Sequence, residues 1–309
     1  MTDLQIRKMR FAFADYDVPF LWNETNPAFS SMANAVSFLA IAFEKMIGRM
    51  IAEAMPLITD PVVAAEAAAF VRQEGQHSMA HRQHAKGLIK SYPALKETLN
   101  QVIASFDDLT VNEPLKYRLA YTADLEATFT PVFKLMLDHD DTLFAPGDDR
   151  VASLFLWHFV EEVEHRSSAL IIYDAVVGDP WYRLRVAPAI FKHVWSALRT
   201  AAAGFNKHVP LADRRVDALS MFGTYRRKQS LLQRLPFVGG ASSGPFGSAF
   251  GHLPVCEQLT ALLGIVRSQL PNHNPALENV PMLADEWFAR YENGYDVTNW
   301  YTAAINQQA

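Results

Sequence analysis

The chain has 309 residues, half of them hydrophobic, with 28 basic and 33 acidic side chains and a formal net charge of −5. That much apolar material can bury a large core, which excludes an intrinsically disordered chain. No basic stretch is available to track a phosphate backbone, so nucleic acid is not an expected partner. The single cysteine, Cys256, excludes an internal disulfide and a cysteine-based zinc cluster.

Residues 1 to 20 mix charges with aromatics and lack the apolar centre of an export signal. The longest early apolar run, Ala35 to Phe43, stops at Glu44, well short of the roughly 20 residues that span a bilayer. A soluble, cytoplasmic protein without a transmembrane segment is expected.

Strand patterns are almost absent, and long segments with 3.6-residue apolar spacing recur, so the fold is read as all-α. Asn26-Pro27 caps a first helix reaching about Ile58, and Asp60-Pro61 restarts a second that runs to about Lys90. After Ser91-Tyr92-Pro93 comes a shorter helix. Asn112-Glu113-Pro114 opens a third long one ending near Asp138, and Phe144 to Asp148 forms a turn. A fourth long helix is expected from about Asp149 to Val177.

Beyond it the periodicity loosens into pieces near 183–207, 211–232, 253–270 and 280–292. The glycine-rich stretch 236–254 reads as an irregular loop, either a surface connection or a lid. The domain expectation is a four-helix bundle over 1–180 with a helical extension over 181–309 packed on it.

Two Glu-x-x-His pairs stand inside the second and fourth long helices, Glu74/His77 and Glu162/His165. Positions i and i+3 share a helix face, so each pair aims a carboxylate and an imidazole at one point. The first and third long helices supply Glu44 and Glu126, each in apolar surroundings where a lone carboxylate is expensive unless paired or metal-bound. Facing residues of a helical hairpin lie equidistant from its turn. Glu44 and Glu74 are centred on Thr59, and Glu126 and Glu162 on Phe144, both inside expected turns. One Glu from each of two helices and a Glu-x-x-His from each of two others is the ligand pattern of a di-metal bundle.

Here the chain resembles the ferritin-like family of predicted metal-dependent hydrolases, whose members include non-haem di-iron oxygenases. The resemblance rests on Glu74-x-x-His77-x-x-x-His81, Leu119-x-x-Thr122-x-x-x-Glu126 and His158-x-x-Glu161-Glu162-x-Glu164-His165. It implies a ferritin-like four-helix bundle and adds His81 and His158 as ligands or as supports for ligands. Glu161, Glu164 and His84 are weaker candidates, and Arg72, Arg82 and Arg166 are candidates to bridge to the carboxylates.

The expected metal ligands are therefore Glu44, Glu74, His77, His81, Glu126, His158, Glu162 and His165, with the four glutamates catalytic. This hard donor set suits two iron ions, with manganese as the alternative. The leading expectation is a di-iron oxygenase using dioxygen, an electron donor and a small, partly apolar substrate. A metal-dependent hydrolase and a ferroxidase or iron-handling protein are the alternatives, and a homodimer is the assembly to test.

Overall fold

The computed structural model describes residues 4–222 and 248–302. No strand occurs among them, and the fold is all-α. Helices α1 (Pro27–Ala54), α2 (Pro61–Ser91), α3 (Leu95–Asn112), α4 (Leu115–Leu137), the single turn α5 (Asp140–Leu143), α6 (Asp149–Glu164), α7 (Ser168–Val176) and α8 (Pro180–His208) follow in order. The short α9 (Leu211–Arg214), then α10 (Val255–Ser268) and α11 (Met282–Glu292), complete the set among the described residues. Of the expected 211–232 helix, α9 and a 3-10 stretch at Ala218–Phe222 are seen. Arg215 to Asp217 break the expected helix, with Arg215 left-handed at φ 57°, and residues 223–232, with most of the expected 236–254 loop, lie outside the described residues.

The helix starts follow from local chemistry. The side chains of Asn26, Asp60, Asp148 and Asp179 each accept a hydrogen bond from a backbone N–H of the first turn, and three of them precede a proline at the first helical position. One expectation is corrected: the fourth long helix is broken between α6 and α7 at His165. There the Arg166 guanidinium donates to the Val163 carbonyl, and Ser168 N–H donates to the His165 carbonyl in a tight turn. Side-chain and turn bonds thus replace the helical ladder.

Helix α1 pairs with α2, and α4 with α6 and α7, while α3 and α8 pack together along α1 and α4. Helices α1 and α4 run antiparallel. At one end Glu53 of α1 accepts two hydrogen bonds from Arg118 of α4, at 2.9 and 2.6 Å. At the other, the Phe29 ring meets Phe144 edge-on at 5.3 Å between centroids. The segment before α1 lies over α2 and α6, so close that a Cβ on Gly87 would fall 2.3 Å from a Val18 methyl.

Deep in this packing, His84 of α2 lies between the rings of Phe13 and Phe155, with Nδ1 2.8 Å from the Ser37 hydroxyl. Burial pushes its pKa down to about 3. The unfolded imidazole titrates near 6.5, so acid favours the unfolded chain: this stability is present above pH 6.5 and drains away as pH falls toward 3. Between pH 7.5 and 5.5 the wild type is expected to lose about 1.4 kcal/mol more than His84→Gln in denaturant unfolding. Equal losses in both proteins would rule this out.

Candidate metal centre

The four helical elements deliver Glu44, Glu74, His77, Glu126, Glu162 and His165 to one buried level, each no more than 5 % exposed. His165 Nε2 lies 3.0 Å from Glu162, 3.2 Å from Glu74 and 3.6 Å from Glu126. His77 Nδ1 lies 3.5 Å from Glu162 and 3.8 Å from Glu74. Two overlapping donor sets share Glu74, namely Glu74/Glu126/Glu162/His165 and Glu44/Glu74/His77, and a third joins His77, His158 and Glu162; within each the ligand atoms lie no more than 4.8 Å apart. Glu162 reaches both of the first two through its two oxygens.

This cluster needs positive charge. Burial first, then the fields of Glu74 and Glu162, push the Glu44 carboxyl well above its ordinary range, and burial with Glu162 and Glu74 does the same to Glu126. For His77, burial opposes the charged form, yet the carboxylates of Glu161, Glu162 and Glu74 outweigh it and raise the pKa. His165 is raised against burial by Glu162 and Glu126. Glu44 Oε2, Glu74 Oε1, His77 Nδ1 and Glu126 Oε1 are buried with no hydrogen-bond partner. Converging orphaned donors of this type fit two divalent cations of the oxygen-preferring class.

Behind the ligand layer, the far nitrogens of both histidines are held by one continuous ring of hydrogen bonds. His77 Nε2–H donates to Glu161 at 2.9 Å. The other Glu161 oxygen accepts from Arg7, and Arg7 donates twice more to Glu164. Glu164 also accepts from the Gln73 amide, whose carbonyl accepts from His165 Nδ1–H at 3.1 Å. These bonds fix which nitrogen of each ring carries hydrogen and leave His77 Nδ1 and His165 Nε2 facing the carboxylates. The Arg7 guanidinium in turn packs over Phe288 of α11 at 4.6 Å.

His158 lines the cavity, and His81 stands behind it. His158 Nε2 is 2.8 Å from Glu162 and 3.8 Å from Glu44, and its Nδ1 is 2.8 Å from His81 Nε2. His81 Nδ1 meets the Ser37 hydroxyl at 2.9 Å, and Ser37 meets His84. With Glu162 ionised, each bond of this chain has one direction, His84 to Ser37 to His81 to His158 to Glu162. Glu44, His81 and His158 also bring three ligand atoms within 4.8 Å of one another.

Of the expected arginine bridges, Arg166 spends its donors on the Val163 and Pro275 carbonyls, and Arg72 and Arg82 are exposed. Arg7 takes that role. Its distance in sequence from any ligand hides it, whereas Gln73 and Glu164 each adjoin a ligand in the two motifs.

Replacing Arg7 by Met, or Glu161 by Gln, is expected to weaken divalent-cation affinity about 10–100-fold, read by competition with a chelator. Wild-type affinity in both variants would show that the ring does not hold the imidazoles.

The profile of a family described as "Predicted metal-dependent hydrolase" matches residues 5–238 and so includes every residue of the centre. No curated protein and no solved structure matches the chain significantly. With more than half of its length matched, the chain belongs to the family of predicted metal-dependent hydrolases.

Proposed function

We propose that the chain is a hydrolase whose two divalent cations are held by Glu44 and His77 on one side, Glu126 and His165 on the other, and Glu74 and Glu162 between. The observation that carries this reading is the pair of overlapping donor sets sharing Glu74, with the family match favouring hydrolysis. Such cations supply Lewis acidity, making water a nucleophile at neutral pH and drawing charge from a carbonyl.

The protein's own groups do the rest. Glu44 borders both the centre and the adjoining cavity, and its Oε2 has no partner. Burial and neighbouring carboxylates raise its affinity for a proton, so in the ionised form Oε2 is the atom placed to take a proton from the attacking water and then return it to the leaving oxygen. Burial holds His158 toward the neutral form, and its hydrogen bond orients Glu162. Leu39, Phe43, Phe129 and Phe133 exclude water from the cavity side.

A second reading keeps the oxygenase expectation. Two Glu-x-x-His pairs with two further glutamates is the donor pattern of di-iron and di-manganese carboxylate proteins. In that reading iron, dioxygen and an external electron donor would act on the same cavity.

Metal analysis is expected to give two divalent ions per chain, falling to one or fewer in Glu74→Ala and Glu162→Ala. Under argon, zinc- or manganese-loaded protein is expected to cleave small uncharged esters, and Glu44→Gln to lower kcat about 10²–10⁴-fold per bound metal, with metal content measured on the same preparation. Turnover seen only with iron, reductant and oxygen would overturn hydrolysis in favour of oxygenation. A chain that binds no metal would end both readings.

A further inference from the structure

A cavity of about 250 Å³ opens directly off the centre. Its walls are a stripe of α1, from Met32 through Val36 and Ala40 to Glu44, and a stripe of α4, from Leu125 through Phe129 and Val132 to Met136. Val194 and Leu198 of α8 line it as well. Because α1 and α4 are antiparallel, Met32 and Met136 lie toward the same end, the end where Phe29 meets Phe144. At about 1.5 Å per residue, Met32 is roughly 18 Å from Glu44 along α1, and Met136 roughly 15 Å from Glu126 along α4. Two independent helices thus give the cavity the same long axis.

The chemistry along that axis is one-sided. The ionisable lining groups, Glu44, Glu74, His158 and Glu162, all stand at the metal end. Further along, the Thr128 hydroxyl is spent on the Leu125 carbonyl and offers the cavity only its methyl. A ligand lying here needs one polar end at the centre and an apolar body with no charge.

We infer that the substrate carries an unbranched alkyl or acyl chain, seated between α1 and α4 with its polar head at the metal centre and its tail toward Met32 and Met136. Carbon–carbon bonds of about 1.5 Å at near-tetrahedral angles advance about 1.25 Å per carbon, so 15 Å holds about twelve carbons. Met32, Val36 and Met136 set the length limit. The inference deepens the proposed function and rests on it for the placement of the head.

The test is displacement of anilinonaphthalene sulfonate by n-alkanols of four to sixteen carbons, a neutral series that needs no metal, on the full chain. Affinity is expected to rise about threefold to fourfold per methylene up to about twelve carbons and then level off. Val36, eight residues and about 12 Å from Glu44, lies short of that limit. Val36→Trp is expected to move the limit to about nine or ten carbons, and Met32→Trp to move it less, with helical circular dichroism confirming that each variant folds.

Affinity independent of chain length would overturn the inference. So would a length limit unchanged in folded Val36→Trp and Met32→Trp. Metal content and cleavage of a two-carbon ester, measured on the same preparations, separate the two claims. Metal-loaded, active protein that ignores chain length sinks only the alkyl tunnel. Length-selective protein that binds no metal leaves the tunnel standing and sinks the metallohydrolase.

Discussion

Four carboxylates share one level of an apolar interior, and everything else in this molecule answers to that fact. Ionised together and unaccompanied, they would repel one another and forfeit their hydration, at several kcal/mol per group. The fold offers two imidazoles as partial compensation, and burial still drives Glu44 and Glu126 toward protonation. Divalent cations held between the carboxylates would offset that repulsion. The same charge imbalance that would destabilise the bare protein is what suits these clusters to hold metal.

Precision comes from further out. The imidazole rings are aimed by Glu161 and Gln73, which are fixed by Arg7 and Glu164, and Arg7 rests on the aromatic face of α11. Residues from the beginning of the described chain and from near its end thus converge behind a centre built by its middle. The C-terminal helices are coupled to the ligand geometry without touching a ligand. On the opposite side the chain from His84 through Ser37 and His81 to His158 sets the orientation of Glu162.

The helices and the ligand level were legible because they obey short-range rules. Spacing of three puts Glu74 with His77 and Glu162 with His165, and the equal distances from Thr59 and Phe144 match Glu44 and Glu126 in height. The break at His165 was not legible, because it depends on the Arg166 side chain capturing backbone carbonyls, one of them 109 residues away at Pro275. Arg7 was hidden for the same reason: its partners Glu161 and Glu164 lie more than 150 positions along the chain. The cavity was legible only as apolar stripes on two helices. Their antiparallel arrangement, which turns stripes into a tunnel, is a tertiary fact.

The two ends of the α1 and α4 pair are closed by unlike forces. Glu53 and Arg118 form a charged latch, with the Glu53 side chain half exposed, so dissolved ions weaken it. Phe29 and Phe144 form a dry aromatic latch that cooling weakens and salting-out ions strengthen. Ionic strength and temperature therefore act on opposite ends of the helix pair.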